Sequence, residues 1–194
     1  MTKDAMHKNV DIKIKRQDSP TAEPRWELFS IPYKPNMNII ICLMEIQRNP
    51  ITKFGHKTTP PVWDCNCLEE VCGACTMVIN GRVRQACSTL VDTLEHLITV
   101  EPMSKFPLVR DLIVDRSKMF EALKRVRAWA PIDGTHEQGP GSRIPAKTAE
   151  EAYWLSRCMT CGCCLEACPQ INKRSDFIGA AAISQVRLFN MTSR

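Results

Sequence analysis

Cys67-Leu68-Glu69-Glu70-Val71-Cys72-Gly73-Ala74-Cys75, followed after eleven residues by Cys87, is the stretch on which the reading of this chain turns. Thiols spaced C-x4-C-x2-C with a distant fourth form the ligand pattern of a plant-type [2Fe–2S] cluster. Such a loop wraps the cluster and aims several thiolates inward. Gly73 lets the backbone come close, so that peptide N–H groups can donate to sulfur. The rival is a four-cysteine zinc site, which uses two C-x2-C knuckles; this stretch has one, at Cys72 and Cys75.

Downstream, Cys158-Met159-Thr160-Cys161-Gly162-Cys163-Cys164-Leu165-Glu166-Ala167-Cys168-Pro169 contains C-x2-C-x2-C-x3-C-P, carried by Cys158, Cys161, Cys164 and Cys168. In the bacterial ferredoxin run the first three thiolates hold one [4Fe–4S] cluster and the last ligates a different cluster. Pro169 turns the chain away from any following helix. Four thiolates thus complete one cluster, three begin a second and one begins a third, and no cysteine follows Cys168. Either the chain is cut short, or Cys163 or Cys168 closes a single cubane. Adjacent thiols rarely point at one cluster, so Cys163 reads as a spare buried thiol, as do Cys65 and Cys42.

The rest of the composition is that of an ordinary globular protein. The 194 residues carry 26 Lys+Arg against 21 Asp+Glu, a net charge of +5, with 44% hydrophobic residues. The longest apolar run, Ile39 to Met44, is far too short to span a membrane, and no secretory leader is visible in Met1 to Asp11. Collagen-like and disordered classes are excluded. Eleven cysteines, an odd count in two clusters plus Cys42, in a compartment expected to be reducing, favour metal over disulfides. Lys and Arg form no long basic run and aromatics are 6%, which argues against nucleic acid.

Around the first cluster the pattern is mixed. Val10, Ile12 and Ile14 alternate with polar residues, and Trp26 to Ile31 alternates more weakly, giving two strands joined by a turn at Asp18–Pro24. Asn38 is placed to cap a helix over Ile39–Arg48, ended by Asn49-Pro50. Asn80-Gly81 between Thr76–Ile79 and Arg82–Gln85 predicts a hairpin, and Leu97–Val100 a further strand. From Pro107 the spacing of Leu108, Leu112, Met119, Phe120, Leu123 and Val126 predicts one helical face. A long loop over Pro131–Lys147 follows. A capping box of Thr148 and Glu151 is expected to start the helix delivering Cys158. A last helix is expected over Ala180–Leu188, with little to pack against. The boundary falls near residue 103, giving domains 1–103 and 104–194.

At these residues the sequence resembles the iron–sulfur subunit of succinate dehydrogenase and its relative in fumarate reductase. The resemblance runs over nearly the whole chain and is carried by the two cysteine stretches, Asn80-Gly81, Arg110-Asp111-Leu112 and Gln185-Val186-Arg187. It implies an α+β chain: a β-grasp plant-type ferredoxin domain, then an all-α bacterial-ferredoxin-like domain that is incomplete. It implies that Cys67, Cys72, Cys75 and Cys87 hold [2Fe–2S], that Cys158, Cys161 and Cys164 supply three ligands of [4Fe–4S], and that Cys168 supplies one of [3Fe–4S]. Similar proteins continue with a further cysteine group, so the chain reads as a C-terminally truncated member. Many relatives place a Trp soon after the Cys-Pro pair, where this chain has Gln170-Ile171-Asn172-Lys173, and the quinone pocket is therefore not transferred.

The function implied is one-electron transfer, without substrate chemistry on this chain, as a subunit of a membrane-associated oxidoreductase of the tricarboxylic acid cycle. Electrons pass from a flavoprotein subunit that oxidises succinate to fumarate towards a quinone, expected to be menaquinone, at membrane anchor subunits. The place implied is the cytoplasmic face of a bacterial plasma membrane, reached through those partners. The alternatives are a fumarate reductase subunit, a free two-cluster carrier, and a zinc-stabilised interaction module. Glu69 and Glu70 read as solvated acids rather than tuning groups, and His7, His56, His96 and His136 as surface residues. No GxGxxG, P-loop or Ser/His/Asp set is present, which fits a chain without its own flavin site.

Overall fold

The computed structural model describes residues 9–129 and 143–191. His7, His136 and most of the loop expected over Pro131–Lys147 lie outside them. The chain divides into two compact units, Met1–Asp115 and Arg116–Arg194.

The first unit is a five-stranded sheet crossed by one helix. Strands β1 (Asn9–Arg16) and β2 (Arg25–Pro32) are followed by α1 (Ile39–Arg48), the hairpin β3 (Thr76–Ile79) and β4 (Arg82–Gln85), and β5 (Ile98–Glu101). The order β2-β1-β5-β3-β4, with β1 and β5 parallel and the other pairs antiparallel, is the expected β-grasp. Period-two alternation puts Val10, Ile12 and Ile14 on the inner face. There they meet Ile39, Ile40, Leu43 and Ile46 of α1, together with Ile79, Ile98 and Val100. Cys42, on the same helical face, is fully buried, and burial pushes its thiol up to about 12. It is a packing residue, as its apolar setting implied.

The ends of α1 fall where the sequence placed them. Asn38 Oδ1 accepts the N–H of Ile41 at 2.9 Å, satisfying an otherwise orphaned donor. Its Nδ2 donates to the carbonyl of Cys87 at 2.9 Å, so the cap also ties the helix to the fourth cysteine of the first set. Replacing Asn38 with Ala is expected to cost about 1 kcal/mol for the cap. Thermal denaturation should show a fall of roughly 4–8 °C in Tm. Asn38→Asp should recover most of it, keeping the cap but not the link to Cys87.

Residues 108–114 depart from expectation. They form a small hairpin, β6 (Leu108–Arg110) and β7 (Ile113–Val114), instead of the first turns of a helix. Asp111 turns the chain at φ 46°, a conformation Asp tolerates better than most residues and one that no helix contains. The helix α2 is confined to Ser117–Arg125. The hairpin falls within the first compact unit, Met1–Asp115.

The second unit is helical: α2, α3 (Ala146–Ser156), α4 (Cys163–Ala167) and α5 (Ala180–Met191). The expected capping box does not form. Helix α3 begins two residues before Thr148, after Pro145, with no side-chain cap; a proline ring presets the φ angle that precedes a first helical turn. Nor does α5 lack packing. Ala181 and Ala182 are buried, the Gln185 Nε2 donates to the carbonyl of Leu155 on α3 at 3.2 Å, and Arg187 pairs with Glu151 at 3.3 Å.

Candidate iron–sulfur centre

The loop between α1 and β3 is shaped by residues in the left-handed region: Leu68 at φ 62°, Glu70 at 60° and Gly73 at 70°. Two of the three are not glycine, and such conformations cost of order 1–3 kcal/mol each, so they persist where the surroundings impose them. Their effect is to turn successive amides inward. Cys67 Sγ accepts the N–H groups of Val71 and Cys72 at 3.2 Å and of Glu69 at 3.5 Å. Cys72 Sγ accepts those of Ala74 at 3.4 Å and Cys67 at 3.5 Å. A concavity lined by amide hydrogens is a site for negative charge.

The thiols respond accordingly. The amides of Glu69, Val71 and Cys72 hold the Cys67 thiol down at about 7. Cys75 is buried at the start of β3, beside buried Cys87; burial pushes its thiol up to about 11, and its sulfur is hydrogen-bonded to that of Cys87. The four sulfurs therefore fall into two pairs, Cys67 with Cys72 and Cys75 with Cys87. Two thiolates on each of two irons is the arrangement a [2Fe–2S] core needs, whereas a mononuclear zinc site draws four donors to one point. Among the described residues, no three His, Cys, Asp or Glu side chains converge on a single-ion site.

The pH dependence of the metal-free chain follows directly. A thiol held low becomes a reactive thiolate from its own pKa upward. With clusters removed under reducing conditions, the rate of Cys67 alkylation by iodoacetamide should reach half its plateau near pH 7, whereas the buried Cys75 and Cys42, with thiols pushed far up, should stay slow there. Peptide mass spectrometry reads all three in one titration, and Cys75 reacting before Cys67 would contradict the amide geometry.

Cys65 is half-buried against the sheet core instead of fully buried. Burial, followed by the charge of Asp64, raises its thiol. Glu69 and Glu70 are exposed, as are His56 and His96.

In the helical unit the second cysteine run straddles the start of α4. Thr160 at φ 53° and Gly162 at 90° turn the chain so that Cys163 opens the helix. Cys158 lines a small apolar recess with Leu123, Leu165 and Ala181. Cys161 is held down at about 6, chiefly by a hydrogen bond from the Cys163 side chain and further by its backbone N–H and the Arg116 charge. Cys163 is half-buried instead of fully buried, and its side chain is engaged with Cys161. Cys158 and Cys161 lie close enough to Cys164 to act on its charge, and Cys168 stands at the C-cap of α4.

A β-grasp sheet whose amide-lined loop carries three of the four paired cysteines, with the fourth just after β4, defines a [2Fe–2S] protein, and residues 11–121 match the family described as a 2Fe-2S iron-sulfur cluster binding domain. The succinate dehydrogenase iron-sulfur subunit of Bacillus subtilis is 60% identical over 183 residues, covering 94% of this chain and 72% of that protein. The fumarate reductase iron-sulfur subunit of Wolinella succinogenes is 34% identical over 191 residues, covering 95% and 76%. This chain belongs to the family of succinate dehydrogenase and fumarate reductase iron–sulfur subunits. Its fold is shared with a chain of the Mycobacterium smegmatis Sdh1 complex in the apo form, at a TM-score of 0.79 and 20% identity over 96% of this chain and 77% of that one.

Proposed function

We propose that this chain is the electron-transfer subunit of a succinate dehydrogenase. Cys67, Cys72, Cys75 and Cys87 hold a [2Fe–2S] cluster in the sheet unit. Cys158, Cys161 and Cys164 supply three thiolates to a [4Fe–4S] cluster, and Cys168 one to a [3Fe–4S] cluster, in the helical unit. Bound clusters supply one-electron carriage, which splits the two-electron oxidation of succinate by a flavoprotein into single steps towards quinone. The observation that carries the reading is the pairing of the first four sulfurs under inward-facing amides, in a chain 60% identical to a succinate dehydrogenase subunit.

The chain's own part is to bind, orient and shield. The N–H groups of Glu69, Val71 and Cys72 stabilise negative charge on Cys67. Cys75 sits in the dry core, where loss of its proton needs a metal's charge. Among the described residues no helix is long and apolar enough to cross a membrane. Attachment at the cytoplasmic face of the plasma membrane comes through anchor subunits, with menaquinone as the acceptor.

Succinate added to the anaerobically purified complex should bleach its visible iron–sulfur absorbance and bring up the EPR signal of a reduced cluster. A complex that stays oxidised with succinate and is reduced by dithionite alone would overturn the substrate assignment.

A further inference from the structure

Asp111, in the turn between β6 and β7, is fully buried. Its carboxylate accepts four hydrogen bonds: Arg16 Nε at 3.0 Å and the Gln17 N–H at 3.0 Å on Oδ1, Arg16 Nη2 at 3.2 Å and the Val62 N–H at 2.9 Å on Oδ2. The carbonyl of Val62 in turn accepts the N–H of Leu112 at 3.1 Å. Both polar backbone groups of Val62 are thus fixed by consecutive residues of one turn. Arg16 reaches the same segment again, its Nη2 donating to Thr59 Oγ1 at 3.2 Å and to the Pro60 carbonyl at 3.5 Å.

We propose that Asp111 is a positioning residue for the first cysteine loop, setting where the segment that leads into Cys67 begins. The proposal rests on the reading of Cys67, Cys72, Cys75 and Cys87 as [2Fe–2S] ligands. Val62 is five residues ahead of Cys67, and Trp63 and Cys65 between them pack against the sheet core. Pro60-Pro61 stiffens the approach. With its entry fixed, the loop can hold the amides of Glu69, Val71 and Cys72 on one sulfur. A carboxylate is needed because both oxygens accept an arginine bond and a backbone bond at once. Asparagine offers one acceptor oxygen, so it must release either Val62 or Gln17. Hydrogen bonds to cluster sulfur raise its reduction potential, so loosening them makes reduction harder.

The test is Asp111→Asn in the anaerobically purified complex, titrated electrochemically and followed by EPR. Expected at the wild-type midpoint is a tenfold lower reduced-to-oxidised ratio for the [2Fe–2S] cluster, a shift of about 59 mV for a one-electron couple. Its g-values should change, while signals from clusters in the helical unit stay as in wild type. If this variant does not load, Arg16→Lys is read in its place and should shift the same signal in the same direction. A loaded variant with the wild-type midpoint and line shape but a lower Tm would overturn the proposal. So would failure of both variants to load, because a positioning residue leaves assembly intact. Wild-type protein without a reducible [2Fe–2S] signal would instead sink the ligand reading.

Discussion

Cys72→Ala should remove the first cluster outright. Iron and acid-labile sulfide should each fall by about two per chain, the content of one [2Fe–2S] core, and succinate-to-quinone transfer should fall to background. Cys72 carries two roles that alanine cannot supply: it is one of the paired sulfurs, and its Sγ accepts the N–H groups of Cys67 and Ala74. The matched control is Cys65→Ser, two residues ahead of Cys67 on the same segment. Cys65 is half-buried with a raised thiol and no place in either pair, so activity should stay within about twofold, as for a substitution away from the chemistry. Loss of the cluster in Cys65→Ser with retention in Cys72→Ala would reverse the ligand assignment.

Arg16→Met should be the most damaging single change to the sheet unit away from cysteine. Arg16 and Asp111 are both fully shielded, and the guanidinium also pairs with Glu27 at 2.5 Å. Methionine fills a similar space but leaves the Asp111 carboxylate buried without its cation. Removing one partner of a buried pair costs about 3–5 kcal/mol. For a unit of this size that corresponds to a fall in Tm of more than roughly 10 °C. Differential scanning calorimetry of the loaded protein measures it, and a fall below about 3 °C would show that the pair contributes as little as an exposed one.

These two residues also show how the sequence can be read and where reading stops. Strand β1 alternates Val10, Ile12, Ile14, and the next residue on that face is Arg16. The period of two therefore placed an arginine in the core, a signal that a habit of assigning charge to the surface passes over. Its partner, Asp111, could not be found this way, because the pairing spans 95 residues. The same turn misled the helical reading: Leu108 and Leu112 fit a helical spacing by accident, while Asp111 adopts a conformation a helix excludes. By contrast α1 and the Asn80-Gly81 hairpin were legible to the residue, since cap and turn chemistry are local. The cysteine spacings were legible for the same reason. The grouping of the sulfurs into pairs, the amides aimed at Cys67 and the contact of Cys163 with Cys161 were not, because they depend on left-handed residues that no propensity announces, Leu68 and Glu70 in the first loop and Thr160 before Cys161.

The central claim is that these cysteines hold iron and inorganic sulfide. Metal and acid-labile sulfide per chain, measured after anaerobic purification with any bound partners, test it most directly. At least two irons and two sulfides per chain are expected, rising to about nine irons when all three clusters are in place. Iron near zero with stoichiometric zinc would contradict it, and would make the paired thiols of the first loop a structural site instead of an electron carrier.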